Sequence, residues 1–279
     1  MTDRDDDLAI AENRAAHDRV GGNYDGGHPE IFNDVEQARL AAAVARVVGL
    51  VAEPGRQLRV LDVGSGTGNL VRHFLAHDTL VTATDLSTAL LAEVAARFAA
   101  TDRVSTAPLN GRDLQPLADR QFDIAATYSV LHHVPDYLSL VREMARVVRP
   151  GGVVYIDHER NDASWTSEPY RRFLREAVVW PTRRWWYFLQ PSRYWRRISP
   201  LLEWHRWGNP RWMPEGDIHI WPDDHIEWAL VREAVESAGC TVEVEEDYLL
   251  YEPRFHRPAW ERWRVQTSDM HLLVARKGA

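Results

Sequence analysis

One stretch decides the fold of this chain: Val60-Leu61-Asp62-Val63-Gly64-Ser65-Gly66-Thr67-Gly68-Asn69-Leu70. Its first half is apolar and β-branched, which predicts a strand buried in a parallel sheet. Three glycines at alternate positions follow the strand, and a helical pattern begins at Asn69. Glycine adopts positive φ and lets a ligand come close to the backbone, so this strand, turn and helix start predict a ligand site.

A dinucleotide is the first ligand to consider at such a turn. Its fingerprint, G-x-G-x-x-G, requires glycine at position 69, where this chain has Asn69. A pyrophosphate also favours a helix N-terminus without competing negative charge, and Asp62 places a carboxylate beside the turn. Because a carboxylate suits a ligand that carries an ammonium group, the turn favours such a ligand over a dinucleotide.

Length and composition narrow the class of protein. A chain of 279 residues is one large domain, or one domain with a substantial insertion. A net charge of −8 and a pI near 5.8 do not favour a broad nucleic-acid-binding surface. The sole cysteine, Cys240, leaves no disulfide framework and no thiolate metal site. Without a transmembrane-length apolar run or a basic leader, we expect a cytoplasmic protein with no metal, nucleic-acid partner or membrane contact.

Strand and helix patterns alternate through the chain. Residues 1 to about 15 are polar and predicted to be frayed, and residues 17–28 form a glycine-rich, flexible segment. Asn33 predicts the N-cap of a helix to about Leu50, with Glu36 completing a capping box. Strands are predicted at 58–63, 80–85, 104–109, 122–128, 153–157, 241–246 and 271–276, and further helices at 69–77, 87–100, 137–148, 167–178 and 222–238. The alternation predicts an α/β, doubly wound fold with a seven-stranded, mostly parallel sheet.

Five motifs in order resemble those of the class I methyltransferases that use S-adenosylmethionine. They are the D-x-G-x-G-x-G turn from Asp62, Asp85 after the second strand, the loop 117–123, the segment Tyr128–Asp136 and the Arg149-Pro150-Gly151-Gly152 turn. The resemblance covers roughly residues 55–158 and 222–277. It implies a Rossmann-like methyltransferase fold, S-adenosylmethionine as the cofactor and methyl transfer as the activity.

The resemblance also implies roles for single residues. Amides around Gly64 and Gly66 would hold the methionine part of the cofactor with Asp62 near its ammonium group, while Asp85 would bind the ribose. The full expected set of cofactor-binding residues is Tyr24, Asp62, Gly64, Ser65, Gly66, Asp85, Leu86, Asn110, Gly111, Arg112 and Tyr128. Glycine stands at position 111, where the family has an acid that meets the adenine amino group. Asn110, Asp113 or a backbone carbonyl are the candidates for that contact.

His132 and His133 are the candidate catalytic residues. They stand where the family places residues that face cofactor and substrate, and imidazole is the natural base near neutral pH. The alternative for either one is a packed loop histidine. Strand four continues into Tyr128-Ser129-Val130-Leu131 rather than the Asn/Asp-Pro-Pro-Tyr/Phe motif of enzymes that methylate nucleic-acid bases. A small-molecule acceptor is therefore expected.

A segment rich in tryptophan and arginine interrupts the alternation at residues 159–222. It holds nine of the twelve tryptophans, and eleven arginines against seven acids. It follows strand five at the carboxyl edge of the sheet, where open α/β folds bind ligands, which predicts a helical cap over a flat or anionic substrate. The alternatives are a tryptophan core of a small subdomain or a homodimer contact.

The predicted organisation has four parts. Residues 1–54 form an N-terminal helical segment and cofactor lid, 55–158 the S-adenosylmethionine-binding core, 159–222 the inserted substrate cap, and 223–279 the rest of the sheet. The lid, residues 17–28 around Tyr24, is expected to close over the methionine end of the cofactor. The predicted reaction is methyl transfer to an O or N atom of a small metabolite, planar or carboxylated. The alternatives are a tRNA or other nucleic-acid methyltransferase and a non-catalytic S-adenosylmethionine-binding scaffold.

Overall fold

The computed structural model describes residues 3–20, 24–179 and 225–279. Seven strands form one sheet in the order β3-β2-β1-β4-β5-β7-β6. They are β1 Leu58–Val63, β2 Thr79–Asp85, β3 Val104–Pro108, β4 Phe122–Tyr128, β5 Val148–Arg160, β6 Cys240–Tyr248 and β7 Met270–Lys277. The first five run parallel, and β7 pairs antiparallel with both β5 and β6. The expected seven-stranded, mostly parallel sheet is confirmed.

Helices connect the strands and cover the sheet. They are α1 Asp3–Val20, α2 Tyr24–Gly27, α3 Asp34–Val51, α4 Asn69–Leu75, α5 Thr88–Arg97, α6 Tyr137–Val147, α7 Ala163–Thr166, α8 Glu168–Ala177, α9 Trp228–Ser237 and α10 Arg257–Trp263. Two predicted caps are confirmed. Asn33 Oδ1 accepts from the N–H groups of Val35 and Glu36 at 3.1 and 3.0 Å, and Ser87 Oγ accepts from Leu90 at 3.2 Å. No helix among the described residues is both long and apolar enough to cross a membrane.

The core lies on both faces of the sheet. On one face α3, α4 and α5 pack against the strands, and on the other α6 and α9 do so. Consecutive residues of β5 alternate between these faces, as the pleat of a strand requires. Val153 and Tyr155 belong to the α3 side, and Val154 and Ile156 belong to the α6 side.

The N-terminal residues form a helix, so the prediction of a frayed start was wrong. In α1 the buried residues Ala9, Ile10, Asn13 and Ala16 recur at the spacing of one helical face. The sequence analysis missed this stripe because the segment is polar on average and two of the four buried residues are small alanines. The segment 17–28 is also helical at 17–20 and at 24–27, with residues 21–23 outside the described part of the chain.

Strand β5 is longer than predicted and contains a bulge. It continues past Asp157 to Arg160, and its pairing with β7 shifts by one residue between Ile156 and Glu159. The Arg-Pro-Gly-Gly turn is part of this strand rather than a break before it. His158, inside the bulge, has a φ of +63°, which is uncommon for a residue other than glycine.

Only the beginning of the tryptophan-rich segment is described. Its helix α8 packs against α10 and the segment between β6 and α10 through Tyr170, Phe173, Phe255 and Trp260. The sequence analysis predicted the apolar stripe of α8 but did not identify α10. Eight of the nine tryptophans lie outside the described residues. The predicted start of the helix 222–238 is wrong, because residues 225–227 are not helical, Glu227 is the N-cap and α9 begins at Trp228.

Candidate active site

A cavity opens at the carboxyl ends of β1, β2 and β4, with about 1020 Å³ of empty space that is partly open to solvent. The predicted residues that line it are Gly64, Ser65, Gly66, Asp85, Leu86, Gly111, Arg112, Tyr128 and His133. Three predicted residues, Asp62, Asn110 and His132, do not line it. The side chain of Tyr24 lies outside the described part of the chain.

The glycine turn after β1 is held tightly against its neighbours. Gly64 has a φ of +71°, and a Cβ added there would lie 2.5 Å from a methyl group of Val130. Only glycine meets both conditions. The N–H of Ser65 donates to the carbonyl of Thr84 at 2.8 Å, which ties the turn to β2.

Asp85 closes the turn from the end of β2. Its Oδ2 accepts from the N–H of Gly66 at 2.9 Å, and its Oδ1 accepts from the N–H of Ser87 at 2.8 Å. Burial raises the pKa of Asp85, and the hydrogen bond from Ser87 and the nearby His17 oppose that rise. Because Asp85 also lines the cavity, one carboxylate both organises the turn and faces the space beside it.

An apolar patch lies beside Asp85 at the edge of the cavity and consists of Ile10, Leu86 and Gly111. A Cβ added to Gly111 would lie 2.8 Å from Ile10 and 3.2 Å from Leu86, so these three residues pack closely against one another. Asn110 does not contribute to the patch, because its Oδ1 accepts from the N–H groups of Arg112 and Asp113 at 2.7 and 3.0 Å. Asn110 is therefore a turn-forming residue at the surface.

Helix α1 forms one wall of the cavity through Ile10, Asn13 and His17. Asn13 Nδ2 donates to the carbonyl of His133 at 3.1 Å, and the His17 ring meets the His133 ring edge-on at 5.3 Å. The sequence analysis missed these three residues. Their spacing of three and four along a helix was the signal that could have identified them.

The two candidate histidines have different surroundings. His133 lines the cavity, whereas the Nδ1 of the buried His132 lies 2.8 Å from Glu159 Oε2. The ring centroids of the two histidines are 4.1 Å apart. Of the two candidate histidines, His133 alone borders the cavity.

A buried polar network supports the wall at Tyr128. The Tyr128 hydroxyl donates to Glu36 Oε1 at 2.9 Å, and Arg39 joins Glu36 to Asp157 at 2.6 and 2.9 Å. Burial alone would raise the pKa of Glu36, but hydrogen bonds from His158 and Arg39 lower it to about 2. The predicted capping box is wrong, because the Glu36 side chain serves this network rather than the start of α3.

Comparisons with known proteins agree with this geometry. The profile of a family described as a methyltransferase domain matches residues 61–156. The ubiquinone biosynthesis O-methyltransferase of Alkalilimnicola ehrlichii is 31% identical over 182 residues, which cover 63% of this chain and 71% of that enzyme. This chain belongs to the class I S-adenosylmethionine-dependent methyltransferases. The resemblance seen in the motifs is thereby confirmed.

Two further proteins are similar to this methyltransferase. The 27-O-demethylrifamycin SV methyltransferase of Amycolatopsis mediterranei is 34% identical over 126 residues, which cover 43% of this chain and 46% of that enzyme. The solved structure of an S-adenosylmethionine-dependent methyltransferase from Mesorhizobium loti covers 85% of this chain and 96% of its own, with a TM-score of 0.53 and 20% identity. At that identity the likeness supports the fold alone.

Several buried polar atoms at the cavity of the methyltransferase have no hydrogen-bond partner among the described residues. They are Asn13 Oδ1, Ser65 Oγ and Asn69 Nδ2. Buried polar atoms in folded proteins are nearly always paired, so these three indicate where a polar ligand would complete the structure. Asp62 Oδ2 also has no hydrogen-bond partner among the described residues, but Asp62 does not line the cavity.

Asp62 makes the stability of the methyltransferase depend on pH. Burial, with a smaller contribution from Asp85, raises the pKa of Asp62 to about 8. The protonated form is favoured in the folded state, so its stabilising contribution is complete below the unfolded value of about 4 and is lost as pH rises through about 8. Between pH 7 and 9 the wild type should lose about 1.4 kcal/mol of unfolding free energy, or about 3–5 °C in Tm.

Asp62→Asn keeps the side chain neutral and should remove this loss. Thermal unfolding at both pH values measures it, with Asp102→Asn in the exposed loop between α5 and β3 as the matched control. A variant that loses as much stability as the wild type would contradict the assigned protonation of Asp62.

Proposed function

We propose that this methyltransferase transfers the methyl group of S-adenosylmethionine to an O or N atom of a small metabolite, planar or carboxylated. One observation carries the proposal: a single cavity joins the glycine turn to the ring of His133. The names of the two O-methyltransferases reported above indicate small acceptors, which supports the same class of substrate here.

The parts of the cavity match the parts of the cofactor. The apolar patch of Ile10, Leu86 and Gly111 suits one face of a flat adenine ring, and Asp85 suits ribose hydroxyls. Ser65 Oγ in the glycine turn and Asn69 Nδ2 at the start of α4 suit the charged groups of the methionine end. Gly64, Gly66, Arg112 and Tyr128 complete the proposed contact set. Asp62 and Asn110 are left out, because neither lines the cavity.

The protein's own contribution to the reaction is orientation and proton removal. S-adenosylmethionine supplies an electrophilic methyl group on sulfur together with its own leaving group. His133 is the proposed general base that takes the proton of the acceptor hydroxyl or amine. The Tyr128 ring and the Val130 methyl groups line the same space and would hold a flat acceptor between them.

The N-terminal segment is proposed to cover the bound cofactor. Thr67 Oγ1 in the glycine turn donates to Asp25 Oδ1 of α2 at 2.6 Å, and Asp25 Oδ2 also pairs with Arg97 at 2.9 Å. At the end of α1 the Ser87 hydroxyl donates to Asp18 at 2.5 Å. These few polar contacts suit a cover that can open for ligand exchange.

Formation of S-adenosylhomocysteine from S-adenosylmethionine tests the proposal. The purified chain is incubated with a panel of catechols, hydroxybenzoates such as 3,4-dihydroxybenzoate, and hydroxyquinones, with bulk tRNA as a parallel acceptor. Turnover with a member of the small-molecule panel is the expected result. Turnover with tRNA alone would indicate a nucleic-acid methyltransferase. Tight cofactor binding without turnover on any acceptor would indicate a scaffold.

A further inference from the structure

A fully buried carboxylate lies directly behind the histidine pair. Glu159 Oε1 accepts from the N–H groups of Val130 and Leu131 at 2.7 and 2.6 Å, and Oε2 lies 2.8 Å from His132 Nδ1. Glu159 is 1% exposed, and a charge buried to that degree is tolerated only when hydrogen bonds compensate it. These three contacts all go to one short segment of the chain.

The segment that Glu159 holds is the wall of the cavity after β4. It begins at Ser129, which has a φ of +60°, and continues through the 3₁₀ turn Leu131–His133. Val130, His133 and Val134 of this segment line the cavity, and Val130 packs against Gly64 of the glycine turn. Glu159 does not line the cavity, so any effect on the reaction must pass through this wall.

We propose that Glu159 is a positioning residue, which holds His132 as the Nδ1–H tautomer and through it orients His133 toward the acceptor. A carboxylate only accepts hydrogen bonds, so the His132 nitrogen that faces it must carry the proton. The His132 ring, held in this way, packs against the ring of His133. The inference rests on the proposed function, in which His133 takes the acceptor's proton.

Glu159→Gln is the sharpest test, because glutamine has the same shape and a different set of donors. Its single carbonyl oxygen can still accept hydrogen bonds from the backbone N–H groups of Val130 and Leu131. Its NH₂ group then faces His132 Nδ1, which must become an acceptor and leave the proton on Nε2. Nitrogen-15 NMR of the histidine rings should show Nδ1–H in the wild type and Nε2–H in the variant.

Turnover provides the second measurement. With the best acceptor of the panel, Glu159→Gln should lower kcat by about 10- to 100-fold, the scale expected for a misplaced catalytic group. The Kd of S-adenosylhomocysteine should stay within about twofold of the wild type. Glu233→Gln, an exposed change on α9, is the matched control.

A pair of His132 variants separates positioning from direct catalysis. His132→Asn keeps a donor near the position of Nδ1, whereas His132→Leu removes it. Positioning predicts that His132→Asn retains most of kcat and that His132→Leu loses as much as Glu159→Gln. These variants also decide the case if Glu159→Gln does not fold.

Two results would overturn the inference: an unchanged tautomer with unchanged kcat in Glu159→Gln, or equal losses in the two His132 variants. Equal losses would assign the proton transfer to His132 instead of His133, and the proposed methyl transfer to a small metabolite would still stand. If no acceptor is turned over, the proposed function fails, and the NMR measurement still decides whether Glu159 sets the tautomer.

Discussion

Replacing His133 with alanine is expected to lower kcat for methyl transfer by roughly 10²–10⁴-fold, the range for loss of a general base. Among the two histidines of the motif, His133 lines the cavity, and His132 faces Glu159. The Kd of S-adenosylhomocysteine should stay within about twofold, because the glycine turn and Asp85 are untouched. The contact from Asn13 goes to the His133 carbonyl and survives the substitution.

Steady-state kinetics with an acceptor of the panel measures this effect. His256→Ala removes an exposed histidine at the start of α10 and serves as the control. The kcat should fall in the His133 variant and not in the control. If His133→Ala raises KM while kcat is unchanged, His133 binds the acceptor without acting as the base.

Replacing Asp85 with alanine should cost about 1.5–3 kcal/mol of cofactor binding, or roughly 10- to 150-fold in Kd. The substitution removes the proposed ribose contact and also leaves the N–H groups of Gly66 and Ser87 without their acceptor. Calorimetry with S-adenosylhomocysteine measures the loss and needs no acceptor. The wild type should bind NAD far more weakly than S-adenosylhomocysteine.

Asp78→Asn is the matched control, since Asp78 is an exposed acid that directly precedes β2. Thermal unfolding of both variants separates a loosened turn from a lost ligand contact. If Asp85→Ala binds S-adenosylhomocysteine as tightly as the wild type, the proposed contact between Asp85 and the ribose is wrong.

The features that could be predicted from the sequence are those encoded locally. The strand, glycine turn and helix start at Val60–Leu70 carry their own pattern, and the caps at Asn33 and Ser87 depend on residues three positions away. Asp85 followed from its place at a strand end beside the turn. Each of these features depends on a few residues that are close together in the sequence, so the sequence pattern is enough to predict its place in the fold.

The features that could not be predicted depend on where a side chain points. Asp62 and Asn110 stand at motif positions, yet one turns inward and the other caps a surface turn. The sequence pattern predicts that the fifth strand ends at Asp157, which assigns Glu159 to the insertion. Its partners, the N–H groups of Val130 and Leu131, are almost thirty residues away along the chain, and no local pattern records such a contact.

The bulge in β5 determines which side of the sheet Asp157, His158 and Glu159 face. Asp157 and His158 both contact groups on the α3 side, Asp157 through Arg39 and His158 through Glu36, and Glu159 faces the turn after β4. Deleting one of the two residues on the α3 side would let β5 pair evenly with β7 and would leave Glu159 facing the turn after β4, but it would remove either the Asp157 contact to Arg39 or the His158 contact to Glu36. Chimeras that graft another enzyme's substrate cap onto this core should therefore keep β5 intact and join the foreign segment after Arg160.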